Sequence, residues 1–159
     1  IVTECPALAA LYREDSSWGE TGEIEVEHLI EFLADRVDFV EPREEVSLEE
    51  ELLHDSCFVG RQLTLAEETR TLLAGLCEEA PGEFHINREE APCCGGPSHY
   101  HVVAPEASER CAEERLEAMR REGGDGIVCS AATCKKAFDR VDDGAAVDLL
   151  DVACRAFGL

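Results

Sequence analysis

Residues 112–134, "AEERLEAMRREGGDGIVCSAATC", hold the pattern that decides the fold. Leu116 and Met119 or Arg120 follow Cys111 at helical spacings, and Gly123-Gly124 stops the helix predicted over 108–124. "GIVCSAA" (126–132) then runs apolar into small residues, which predicts a strand opening into a tight loop. The same alternation occurs upstream. "EELLHDSC" (50–57) and "GEFHINR" (82–88) read as strands, with "LTLAEETRTLLAGL" (63–76) as the helix between them. Strands alternating with long helices predict an α/β fold, with parallel sheet between helices on both faces. Ligand sites in such sheets lie beyond the carboxyl ends of the strands. Those ends carry "HDSC", "APCCGG" and "CSAATC", so three cysteine-bearing loops are expected at one edge.

An internal repeat divides the chain into two related half-units. "IVTECPALAALYRED" (1–15) pairs with "IVCSAATCKKAFDRV" (127–141) at an offset of 126, and "IEVEHLIEFLADR" (24–36) pairs with "AAVDLLDVACRAF" (145–157) at 121 to 122. Each copy reads strand, short helix, strand, helix. The expected organisation is the tail of a first repeat at 1–45 and a complete second repeat at 46–159. The strand-like "IVTECP" at the start suggests a piece of a longer chain whose earlier segment is missing. In this register Cys5 stands opposite Ala131 and Leu8 opposite Cys134, so each copy keeps a different half of a C-x-x-C.

Bulk properties restrict the functions. The 159 residues, 45% hydrophobic, suffice for one sizeable core or two tightly fused half-units. A net charge of −22, with only Lys135 and Lys136 as lysines, argues against nucleic acid, whose phosphates need clustered cations. The acidity reads as a solvated, self-repelling surface ahead of an acidic docking face for a basic redox partner. No apolar run is long enough to span a membrane, and no signal-peptide core is visible. Nine cysteines, an odd number without small-domain disulfide spacing, fit reduced thiols in a reducing compartment.

"EAPCCGGPSHYH" (90–101) sets two thiols beside two glycines and two histidines. Adjacent cysteines on a regular strand point to opposite faces, so a turn is needed to aim both inward. Gly95 and Gly96 permit positive φ and close backbone approach, Pro97 fixes the exit, and the turn's N–H groups can donate to sulfur. The plainer reading is a tight turn with two small buried residues. Thiolates gathered within a few ångströms require a cation, which iron or zinc supplies. Cys77, Cys111 and Cys154 fall on apolar helix faces and read as core. Cys129 is either buried by strand alternation or the nearest thiol to stand in for Ala131. His54 reads as an orienting hydrogen-bond group. His99 and His101 read as loop histidines, with proton donation to a thiolate or zinc ligation as the functional alternative. Arg61 reads as a neutraliser of site charge or a partner of a surface carboxylate.

"LLHDSCFVGR", "APCCGG" and "AEERLEAMRREGGDGIVCSAATC" resemble the cysteine-rich CCG domain, which occurs twice in one of the subunits of heterodisulfide reductase and in the iron–sulfur subunits of glycolate oxidase and lactate-utilisation complexes. The cysteine 36 positions before the Cys-Cys-Gly is the more specific part of the resemblance. It implies a 4Fe-4S cluster, non-cubane in some members, held by Cys57, Cys93, Cys94 and Cys134. It also implies an electron-transfer module of a cytoplasmic multi-subunit oxidoreductase, served by a flavoprotein or other redox subunit and reaching any membrane through partners. Ala131 departs from the pattern by standing where the first cysteine of the C-x-x-C belongs. The alternative is a degenerate, metal-poor or zinc-binding scaffold domain of the same complex.

Overall fold

The computed structural model describes residues 1–14, 25–96 and 99–159. Its main sheet is parallel throughout, with β3 (Glu51–His54) and β5 (Gly126–Cys129) at the centre and β4 (Gly82–Glu83) and β6 (Ala146–Asp148) at the edges, in the order β4-β3-β5-β6. A separate parallel pair joins β1 (Val2–Thr3) to β2 (Glu27–His28). This is the α/β fold expected from the sequence. β5 reads as a continuous apolar run because it is covered on both faces: Ile127, Val128 and Cys129 are completely buried.

Two helical layers supply that cover. α5 (Pro105–Arg121) packs on α6 (Ala132–Asp139), and α3 (Ala66–Leu76) packs on α7 (Leu149–Phe157). α5 starts three residues before the predicted helix because Pro105 occupies its first turn, where the missing N–H costs nothing. Its buried face is Ser108, Ala112, Arg115, Leu116 and Met119, while Arg120 is outside, paired with Asp142. α7 is capped by the Asp148 carboxylate, which accepts from Leu150 N–H, and ends at Gly158 with φ of 67°.

β1–α1–β2–α2 and β5–α6–β6–α7 have the same order, where α1 is Pro6–Glu14 and α2 is Leu29–Ala34. Their registers correspond: Thr3 pairs with His28 and Cys129 with Asp148. His28 Nδ1 accepts from Ile30 N–H and so caps α2 as Asp148 caps α7. The sequence alignment set Glu27 against Asp148. The structure sets His28 there, because the residue that caps the helix, not the apolar pattern, fixes the register. The β1–α1, β2–α2, β5–α6 and β6–α7 turns face one another across a cavity of about 190 Å³ that includes Cys5, Ala131 and Asp148. Helix α2 also packs on α3, tying the two units together. No helix among the described residues is long and apolar enough to cross a membrane.

Two predicted strands are shorter than expected. The one at 50–57 stops at His54, after which Cys57–Gln62 forms a π-helical turn. The one at 82–88 is strand only at Gly82–Glu83, because Phe84 turns into the core and Arg88 adopts φ of 56°. Helix α3 begins at Ala66 rather than 63, following Thr64 at φ of 57°. Asp55 explains much of this. Its carboxylate, 1% exposed, accepts from Arg70 Nη1 and Nη2 at 2.8 and 2.9 Å and from Arg88 N–H at 2.6 Å. Arg70 also bridges to Glu83. One buried carboxylate thus binds the exit of β3 to α3 and to the loop that leads into Cys93.

Removing the cation from such a pair leaves a buried charge uncompensated. Arg70→Met is therefore expected to destabilise the fold by about 3–5 kcal/mol, read as a lower urea midpoint at an unchanged slope. A loss under 1 kcal/mol would show that Asp55 is not held as described.

Candidate metal centre

The carboxyl ends of β3 and β5 set the geometry. Ser130 N–H and Ser130 Oγ both donate to His54 O, at 3.3 and 3.4 Å, and Ser130 Oγ accepts from Ser56 N–H at 2.9 Å. This clasp holds the HDSC exit beside the start of α6. Cys57 opens the π-helical turn, and Cys134 lies in the first turns of α6, fully buried.

The Cys-Cys turn enters from the other side. Gly95 has φ of 76°, and a Cβ there would overlap Ser108 O of α5. Gly96 needs its missing side chain for space alone, since a Cβ would overlap Thr133 O of α6. Ser108 Oγ donates to Gly95 O at 2.8 Å, fastening the wedge. The turn's N–H groups go to the cysteines' own sulfurs: Gly95 N–H to Cys93 Sγ at 3.3 Å and Gly96 N–H to Cys94 Sγ at 3.4 Å. Pro97, expected to fix the exit, lies outside the described residues.

These constraints bring together four of the sequence's candidate thiols. Cys57 neighbours Cys93, Cys93 neighbours Cys94, and Cys94 neighbours Cys134, each close enough to shift the other's thiol. All nine cysteines are free thiols. Cys93 is drawn far below the usual thiol range by donation from Cys57 and Cys94, helped by Gly95 N–H. Cys134 is drawn down chiefly by Cys94, with His54 and Ser56 adding to it against burial. Cys57 and Cys94 are pushed up, because each shares its proton with a neighbouring sulfur in a desolvated place. Along the row Cys57 is half-buried and Cys93 exposed, while Cys94 and Cys134 are buried.

A ring nitrogen of His54 and the sulfurs of Cys94 and Cys134 all lie within 4.8 Å of one another, a group able to hold a metal ion. His54 is completely buried, edge-on to Phe138 with centroids 5.1 Å apart. Its Nε2 and the hydroxyl of Ser56 are buried without a nitrogen or oxygen hydrogen-bond partner among the described residues. With only the Cys134 sulfur to turn to, these two polar groups and the gathered thiols form a donor set that fits a thiolate-bound metal or cluster.

Other candidates are placed differently. Arg61 donates to Glu89 O at 2.7 Å and Ala91 O at 2.8 Å, clamping the loop before Cys93, and its charge favours the Cys57 thiolate. Cys129 is fully buried at the end of β5, in register with His54 and Asp148, and outside the compact His54–Cys94–Cys134 group. His99 and His101 stack on each other, exposed at the start of α4 (Tyr100–Val103). Of the cysteines read as core, Cys77 packs against it, Cys111 is half-buried in the groove beside Cys93, and Cys154 is exposed. Cys5 is also exposed, on the cavity between the two units.

Arg115 went unread in the sequence. It donates to His54 Nδ1 at 3.3 Å and to Ile86 O at 3.1 Å, and it lies 3.4 Å over the Phe84 ring. A signal was present: Arg115 follows Ala112 and precedes Leu116 and Met119 on the inward face of α5, where a cation needs a reason to be.

A family model described as a cysteine-rich domain (CCG) matches residues 52–139, from β3 to the end of α6. No curated protein matches the chain.

The wedge yields a graded test. Gly95→Ala and Gly96→Ala are each expected to cost about 3 kcal/mol in urea unfolding, because backbone oxygens of α5 and α6 must move. Gly123→Ala, at φ of 89° with open space around it, is expected to cost about 1 kcal/mol. Equal losses at all three positions would mean that the close approach contributes nothing.

Proposed function

The chain belongs to the CCG cysteine-rich domain family, and on that footing we propose that it is an iron–sulfur electron-transfer module of a multi-subunit oxidoreductase, related in role to heterodisulfide reductase or 2-hydroxy-acid oxidase subunits. The observation that supports this reading is the line of four neighbouring sulfurs from Cys57 to Cys134. Arg61 is held by backbone carbonyls, with its charge felt at Cys57, and Arg115 is held by His54 and Ile86 O. Four sulfurs gathered in a chain of net charge −22 call for iron or zinc.

In this reading Cys57, Cys93, Cys94 and Cys134 hold the cluster, which supplies one-electron storage when bound. Gly95 and Gly96 N–H groups hold the Cys93 and Cys94 sulfurs in place. Burial of Cys94 and Cys134 keeps water from the inner side, and the exposed Cys93 gives the edge at which a flavoprotein or other redox subunit would approach. Residues 1–45 are the tail of a first repeat and 46–159 the whole second one. The setting is cytoplasmic, with any membrane association made through partners.

A second reading is a metal-poor or zinc-bearing scaffold. Ala131 has no sulfur at the N-terminus of α6, and His54, Cys94 and Cys134 are the donor types of mixed zinc sites.

Anaerobically purified protein is expected to carry iron and sulfide, and Cys57→Ser, Cys94→Ser and Cys134→Ser each to lose most of it. Cys77→Ser and Cys154→Ser are expected to keep their metal, and Ala131→Cys to raise occupancy after reconstitution. Stoichiometric zinc without iron would favour the scaffold, and absence of any metal under anaerobic handling would overturn both.

A further inference from the structure

Among the described residues, His54 is the only histidine grouped with the clustered thiols, and the atoms around it decide what it can do there. A neutral imidazole carries one proton, and whichever nitrogen lacks it is the one that accepts. Arg115 is donor-only, and its Nε–H points at His54 Nδ1 from 3.3 Å. Arg115 has little freedom to do otherwise: its guanidinium lies on Phe84 at 3.4 Å and donates to Ile86 O at 3.1 Å. Nδ1 must therefore hold a lone pair, and the imidazole proton resides on Nε2. Nε2 is buried and has no nitrogen or oxygen hydrogen-bond partner among the described residues.

From this we infer that His54 serves the thiol cluster as an N–H donor and not as a metal ligand, with Arg115 as the residue that fixes its tautomer. The inference rests on the reading of this site as a metal centre, and it specifies how the protein regulates that centre. A histidine that ligates through Nε2 ordinarily donates Nδ1–H to a carboxylate or carbonyl, which orients the ring and raises its basicity. Here the position of that acceptor is taken by a guanidinium, which enforces the opposite proton arrangement. The consequence is twofold. A metal site of Cys94, Cys134 and His54 is disfavoured, since loading it would require displacing Arg115 from Nδ1. A sulfur-rich centre gains a buried hydrogen bond, which stabilises its more negative, reduced state and raises its potential.

The tautomer can be read without any metal. In the reduced, metal-free chain labelled with ¹⁵N-histidine, the two-bond nitrogen–proton spectrum is expected to assign His54 as the Nε2–H form, and Arg115→Met to release it into a mixture of forms. A folded Arg115→Lys variant gives the same comparison if the methionine variant fails to fold. Nδ1–H in the wild-type chain would overturn the inference whatever metal the protein binds. In iron-loaded protein, pulsed paramagnetic spectroscopy is expected to show only a weak histidine nitrogen coupling, carried through a hydrogen bond. His54→Phe is expected to retain its iron and shift the potential to a more negative value. A strong, direct nitrogen coupling, or loss of iron from a folded His54→Phe chain, would make His54 a ligand and overturn it. If no iron loads, the cluster reading fails while the metal-free spectrum still decides the tautomer.

Discussion

The structure depends on how closely one turn can approach two helices. Cys93 and Cys94 reach the β3 exit on one side and α6 on the other only because the backbone at Gly95 and Gly96 lies against Ser108 and Thr133 with no side chain between. Given that contact, the remainder follows from parallel topology. Strands that run the same way deliver their carboxyl ends to one edge, so Cys57 after β3 and Cys134 after β5 stand ready to meet the turn. The Ser130 clasp on His54 O and Ser56 N–H fixes the separation of those two ends.

Electrostatics then make the site more than a packed turn. Reduced, buried cysteines are ordinarily small hydrophobes, and Cys129 is one, fully enclosed at the end of β5. The four gathered thiols differ because each lies against another, so that loss of a proton at one is felt at the next. His54 Nε2 and Ser56 Oγ stand beside Cys134 with no nitrogen or oxygen partner among the described residues. Cys93 is exposed while Cys94 and Cys134 are buried, which gives the group an outer side for exchange and an inner side for protection.

Much of this could be read in the sequence, and the exceptions share a cause. Strand β5 and helix α5 were legible because Ile127, Val128, Leu116 and Met119 carry a local apolar pattern. The Cys-Cys-Gly-Gly turn was legible because glycine pairs have few other uses beside cysteines. Non-local polar contacts were not legible. The strand expected over 82–88 ends at Glu83 because Arg88 N–H answers Asp55, 33 residues away. Arg61 reads from the sequence as a charge near the site, but its hold on the carbonyls of Glu89 and Ala91 is a contact that no local pattern signals. The repeat offset slipped because helix capping by His28 and Asp148 involves unlike side chains that no alignment would match.

The central claim is that one chain gathers its thiols around a multi-iron centre. X-ray absorption at the iron edge of anaerobically reconstituted protein tests it most directly. The account predicts a sulfur-dominated first shell and a short iron–iron scattering path in the same sample. A mononuclear metal with a mixed nitrogen and sulfur shell, and no metal–metal path, would contradict it.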